Sequence, residues 1–447
     1  MKLKSYLRIV IKAFCYLIPK FIRDQYRDSV DFYLFLLKLI KNKTLKAIGR
    51  QEEPKEMMVL LSVADEMSGI NATYKTLLKL KNRRSSITPP CVMAEDKLIH
   101  KLEALAENVL DVHLCIFDNV SVVGLSDSLI YNNKIYHQEL SAMKAHHDLK
   151  RRDLFVEFDV DNKKFITLDV KNVKKYEDNN CVYISLLKEH SINYYHWVTE
   201  NVSRLALLIS QLKVDKNKIF IENKKVIFLV DEGLPRQCIE IINLIVDFDF
   251  NIQTVSKAEL CQCSNLIYCS PFWQSLDNTT GTLNQEEFFI DKYAVGLVRK
   301  MIFNQINLDK ALPLRKIYLK RKQPSMRALV NDIQVEEYML SQGFDVVETV
   351  TMTFMEQVQL FNESSIIVGA SGAAFTNILF MQPLAKVIIF FPSHPAINYS
   401  MFQPLADVSG VNLIHYQTIP KDMESIHSDF MVDLTGVELL LRSGDEF

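Results

Sequence analysis

The sequence predicts an α/β protein of two domains preceded by a basic arm. Three observations carry this. Between Lys316 and Pro392, apolar runs of strand length (KIYL, FDVV, SIIVGA, KVIIFFP) alternate with stretches of 3.6-residue periodicity, the pattern of a parallel sheet covered by helices. A looser alternation runs from Met57 through NLIYCSPFW. The length, 447 residues, exceeds one ordinary domain. The expected division is an arm at 1–55, a first α/β domain at 56–310 and a second at 311–447, with the link near Asp309 to Pro313.

The arm stands apart by charge. Residues 1–46 hold eleven Lys or Arg against three Asp, an excess of eight, interleaved with Leu7, Ile9, Val10, Phe14, Tyr16 and Phe21. The apolar run is broken by Lys12 and is too short to span a bilayer. Such a segment suits docking on an anionic membrane surface, or packing on its own catalytic domain or on a second subunit. It lacks the apolar core and cleavage site of a signal peptide, so a cytoplasmic protein, peripheral on the inner face of the cell membrane, is expected. The whole chain carries a formal charge of −2, which argues against a nucleic-acid partner. Eight scattered cysteines form no CxxC pair, and Cys261-Gln262-Cys263 is too tight for a usual zinc knuckle, so reduced, buried thiols are expected and no metal set is assigned.

In the first domain, VYISLL reads as a strand leading into HSINYYHWVTENVSRLALLISQL, a helix with Ser191 and Asn193 as candidate caps. His196 and Glu200, four residues apart, share one face of it. An imidazole beside a carboxylate at the mouth of a helix suits proton transfer; the plainer reading is that His196 caps the junction and Glu200 pairs with Arg204. A helix from Pro235 to about Val246 and a long one from Glu286 to about Ile306 follow.

In the second domain, two features stand at strand ends. Arg321, Lys322 and Arg327 follow the first strand. Gly369, Ala370, Ser371, Gly372, Ala373 and Ala374 follow Ile366-Ile367-Val368, in a chain with only 12 glycines. Open α/β sheets bind ligands outside the carboxyl ends of their strands. A small-residue turn lets a ligand approach the backbone, and a following helix offers unpaired N–H groups. With guanidinium groups nearby, the expected guest is a phosphate or diphosphate; the plainer reading is a tight turn with solvated arginines.

Together these stretches resemble glycosyltransferase family 61. The resemblance rests on Asn193-Tyr194-Tyr195-His196-Trp197 with Glu200 and Arg204-Leu205; on Tyr318-Leu319-Lys320-Arg321 with Arg327 and Asn331; on Phe354 with Glu356-Gln357; and on Gly369 to Ala374 with Thr376-Asn377. It covers roughly residues 115–395. It implies a GT-B architecture, two Rossmann-like domains facing a cleft, and an inverting, metal-independent transfer from a nucleotide-sugar donor, UDP-linked, to a saccharide or lipid-linked acceptor. The family includes bacterial capsule and lipopolysaccharide transferases. Carried onto this chain, Glu200 is the expected general base and His196 its orienter. Arg321 and Arg327 hold the diphosphate with Ser371, Gly372 and Ala373, while Asn331 and Thr376 bond ribose or phosphate. Asn377 joins that set or braces the loop. No cofactor beyond the donor is implied, and a homo-oligomer is compatible. One departure is that the family carries a histidine where this chain has Ser371. That departure and the basic arm leave a rival expectation, a non-catalytic partner in a polysaccharide assembly complex.

Overall fold

The alternation after Lys316 folds as a parallel sheet whose strand order reverses at one point. In this computed structural model the described residues are 112–131, 172–218, 220–271, 291–306, 312–321 and 326–442, with shorter segments between 59 and 170 and at 274–275 and 288–289. The strands Arg315–Leu319, Asp345–Val347, Ser364–Ala370, Lys386–Pro392 and Asn412–Pro420 are parallel. Numbered along the chain they lie in the order 2-1-3-4-5. Arg315–Leu319 and Ser364–Ala370 are therefore neighbours whose connections leave in opposite directions, and the crevice beyond their carboxyl ends is the switch point of the sheet. Val387 to Phe391 are buried without interruption, as expected of a strand covered on both faces. Gly369 is needed here, because a Cβ on it would lie 2.6 Å from the Leu319 carbonyl oxygen.

The sheet takes its last two strands from far away. Cys91–Ala94 pairs parallel with Asn412–Pro420, and Lys97–Lys101 pairs antiparallel with Cys91–Ala94.

The other large sheet is mixed. Cys181–Ser185, Lys225–Asp231, Phe250–Val255 and Glu259–Cys269 form its parallel half. Val112–Val123 runs antiparallel to Glu259–Cys269 and returns through Leu129–Tyr131 and Lys134–Tyr136. The Rossmann-like pattern expected of the whole first domain thus holds only after residue 180. Before it, the short turns joining Val112–Val123, Leu129–Tyr131 and Lys134–Tyr136 can only double back, although Asn172–Tyr176 already pairs parallel with Glu259–Cys269.

Helix ends follow their caps. The long helix expected from Glu286 is Lys292–Gln305, because the Asp291 carboxylate accepts from the Tyr293 and Ala294 N–H groups. The small-residue turn leads into a 3₁₀-helix, Ala373–Phe380, in place of an α-helix. Its residues from Phe375 to Phe380 are all buried, and the tighter i→i+3 coil serves a segment enclosed on every side.

Residues 58–447 form one unit. One apolar cluster runs without a break from Ile184, Trp197 and Leu205 to Ile367, Phe375, Phe380 and Val387. The basic arm, with its expected membrane docking, lies outside the described residues, and so does Lys322. Among the described residues no helix is long and apolar enough to cross a membrane. Of the seven described cysteines six are buried.

Candidate active site

His196 and Glu200 meet. Asn193 caps the helical run 194–212 by accepting from the Tyr195 N–H, and the run widens into a π-helix over Trp197–Val202. A π-turn inside an α-helix interrupts the regular hydrogen bonding and is frequent at functional sites. Across it, His196 Nδ1 lies 2.7 Å from Glu200 Oε1. A carboxylate only accepts, so Nδ1 carries the proton and Nε2 is left as the free acceptor of the neutral ring. The two side chains differ in access: Glu200 is 2% exposed, His196 21%. The His190 ring stands beside the His196 ring, centroids 5.4 Å apart.

The partner of Glu200 is not Arg204. The Arg204 side chain turns to the sheet, donating from Nε to the Cys269 carbonyl at 2.8 Å and lying over the Tyr268 ring. Glu200 instead faces Lys188, whose Nζ is 3.2 Å from Oε2 and 3.7 Å from Asp127 Oδ2. Lys188 follows the end of Cys181–Ser185, and its own N–H donates to Asp231, the last residue of the adjacent strand. Asp231 also accepts from Ser191 Oγ and the Leu125 N–H. Burial pushes its carboxyl up to about 6, and those three donors work against the rise. Lys188, Asp127 and Asp231 carry no spacing motif. Only their position at strand ends, seen in the fold, singles them out.

The second cluster sits at the switch point. Arg321 leaves the end of Arg315–Leu319 and fixes its Nη1 between two carbonyls, Ser371 at 3.0 Å and Arg327 at 3.2 Å. Arg327 occupies the left-handed region at φ 56, a conformation that costs a non-glycine residue about 1 kcal/mol or more and that gathers at functional sites. The segment holding it is zipped to 427–432: the Arg327 N–H donates to His427 O, the Ala328 N–H to Asp429 Oδ1, and the Val330 N–H to Phe430 O. The main chain of His427 thereby lies against Arg327. Burial, and for Arg321 the neighbouring Arg327, lowers both guanidinium pKa values; burial and then Arg327 lower that of His427. No described carboxylate pairs with Arg321 or Arg327.

The other expected donor-site residues divide. Gly372 and Ala373 are partly exposed at the head of the 3₁₀-helix, whose leading N–H groups have no acceptor within it. Ser371 is wholly buried: its N–H donates to Phe390 O and its carbonyl holds Arg321, so it stands beneath the pocket and does not offer an N–H to it. Asn331 is engaged on both amide atoms by the Val432 backbone, at 2.8 and 3.0 Å. Thr376 is fully buried. Asn377 braces: it donates to Gln357 Oε1 at 2.7 Å and accepts from the Tyr194 hydroxyl at 2.6 Å. That last bond joins the two clusters, since Tyr194 is two residues before His196 and Asn377 follows Gly372 by five, about 10 Å along a 3₁₀-helix. Tyr195 adds a second tie through its hydroxyl to Met401 O at 3.0 Å. Among the described residues no three His, Cys, Asp or Glu side chains gather closely enough to hold a metal ion.

A family model described as Glycosyltransferase 61 matches residues 194–388, the stretch that holds His196, Glu200, Arg321 and the small-residue turn. Among solved structures, the crystal structure of the bacterial iron-containing dodecameric glycosyltransferase TibC from enterotoxigenic E. coli H10407 is similar at 9% identity, over 64% of this chain and 77% of that one, with a TM-score of 0.21, too slight a likeness to argue from. No curated protein matches the sequence.

Proposed function

We propose, from the premise that residues 194–388 belong to glycosyltransferase family 61 and that the chain is a glycosyltransferase, that it transfers a sugar with inversion from a nucleotide-sugar donor to a saccharide or lipid-linked acceptor of surface polysaccharide synthesis. The two sheets act as the lobes of a GT-B-type enzyme. The observation that carries the reading is the Arg321 guanidinium, held by the Ser371 and Arg327 carbonyls at the switch point of a parallel sheet, with Arg327 beside it and no described carboxylate paired with either. Fixed, uncompensated cations in a partly dry crevice suit a diphosphate.

The acceptor hydroxyl attacks the anomeric carbon, and the bond to the donor's diphosphate oxygen breaks with its electron pair. The proton passes to His196 Nε2, and Glu200 holds the charged ring through Nδ1. This exchanges the roles that the resemblance assigns to the pair. A buried carboxylate with one oxygen on His196 and the other near Lys188 is poorly placed to meet an acceptor, whereas the part-exposed imidazole can. The departing nucleoside diphosphate is met by Arg321, Arg327 and the leading N–H groups of the 3₁₀-helix. Charge from the protein itself does this work, without a divalent ion.

Titration calorimetry of the Arg321→Ala protein with UDP, GDP and CMP tests the donor site. Losing a charge-assisted bond is expected to weaken the nucleotide that binds wild type about 10- to 100-fold. Equal affinity in the two proteins removes Arg321 from the site.

A further inference from the structure

A histidine in a disfavoured backbone conformation is clamped beside His196. His190 occupies the left-handed region at φ 63, which residues with a side chain rarely adopt and which gathers at functional sites. The chain around it is fixed from below. Lys188 donates its N–H, and Ser191 its hydroxyl, to the buried Asp231 carboxylate, which also holds the Leu125 N–H. The main chain closes the turn: the Ser191 N–H donates to Lys188 O at 3.2 Å and the Asn193 N–H to His190 O at 2.9 Å. Lys188 and Ser191 are buried, whereas the side chain of His190 between them is 51% exposed. A buried carboxylate and an unfavourable φ thus serve to hold one exposed ring in place.

That ring stands against the proposed base. The His190 and His196 centroids are 5.4 Å apart and their planes 35° from parallel. On other sides His196 meets the Tyr195 ring edge-on at 5.3 Å, and Glu200 through Nδ1. Tyr195 and Glu200 are buried, so an acceptor that reaches His196 from solvent comes in beside His190. Ile192 and Asn193, which follow, are exposed as well.

We infer that His190 is a wall of the acceptor subsite, its ring covered by the acceptor saccharide while His196 Nε2 receives the proton of the attacking hydroxyl. The inference rests on the proposed function, in which His196 is the base. A pyranose with a hydroxyl in hydrogen-bond reach of Nε2 is wide enough to lie over a neighbouring ring at this spacing. A ring fixed before binding gives up little freedom when the sugar arrives. A contact away from the reacting atoms holds ground state and transition state alike, so its loss acts on KM more than on kcat.

The test uses the full chain, wild type and His190→Asn, because asparagine tolerates the left-handed region. UDP release from UDP-glucose, UDP-galactose and UDP-N-acetylglucosamine is followed with p-nitrophenyl glycosides as acceptors, and UDP affinity is read by calorimetry. For the pairs that wild type turns over, His190→Asn is expected to raise the glycoside KM about tenfold, with a much smaller fall in kcat, and to bind UDP as wild type does. An unmoved KM, or a fall in kcat as large as the rise in KM, overturns the inference, since the ring then acts through His196 or has no part in the reaction. If no glycoside speeds UDP release in wild type, the saccharide subsite falls, while UDP binding that Arg321→Ala weakens leaves the donor site standing. If wild type neither binds UDP nor releases it from a donor, both readings fall.

Discussion

Lys188 sits between two buried carboxylates, whereas Arg321 has Arg327 at its side and no described carboxylate near it. Both clusters stand at the carboxyl ends of parallel strands, and the Tyr194–Asn377 bond joins the elements that carry them. Their charge is treated in opposite ways. In the first, the protein supplies both signs, and the net result is a rigid support behind one imidazole. In the second, no described carboxylate pairs with either arginine, and carbonyl dipoles fix Arg321. A buried charge without a partner is costly, and burial lowers the pKa of both arginines. The contrast separates a region built to hold a side chain from one built to receive a ligand.

The largest expected effect breaks the first region. His196→Gln should cut kcat by about two to four orders of magnitude while leaving nucleotide affinity unchanged, as read by steady-state rates beside calorimetry. If His196→Gln keeps near-normal turnover and Glu200→Gln abolishes it, the proton goes to Glu200 and the roles revert. Next, Lys188→Met strands Asp127 and Glu200 without their cation. Chemical denaturation should show a loss of about 3–5 kcal/mol. A loss below about 1 kcal/mol would mean that the carboxylates do not depend on Lys188, and the contrast between the regions would weaken. The smallest effect sharpens the link between them. Tyr194→Phe leaves Asn377 with an unmet acceptor and should cost about 1 kcal/mol in thermal unfolding. A fall in kcat beyond what that loss explains would show that the bond sets the distance between base and donor.

The parallel sheet was legible because its signals are local: strand-length apolar runs, turn glycines and helix caps all lie within a few residues of what they specify. The His196–Glu200 contact was legible only in part: a four-residue spacing puts the two on one face, but the same spacing offered Glu200 to Arg204, and nothing local announced the π-turn between them. The resemblance offered Asn331 as a ligand residue, yet its amide is taken by the Val432 backbone, 101 residues away. Ser371 read as the tip of a turn, but the strand Lys386–Pro392 claims its N–H through Phe390. Lys188 was invisible for the converse reason. Nothing beside it in sequence hints at the groups it meets.

The strand Cys91–Ala94 has a consequence for how the molecule is made. Its neighbour in the sheet, Asn412–Pro420, is synthesised roughly 320 residues later. The early strand, paired on one side with Lys97–Lys101, must therefore wait with its other edge open until residues 412–420 have emerged, and a chain halted before residue 412 leaves that edge without its berth. Non-local pairings of this kind slow folding and leave strand edges open to wrong neighbours in the interval. Completion of the sheet that holds the arginines thus waits on the synthesis of residues 412–420.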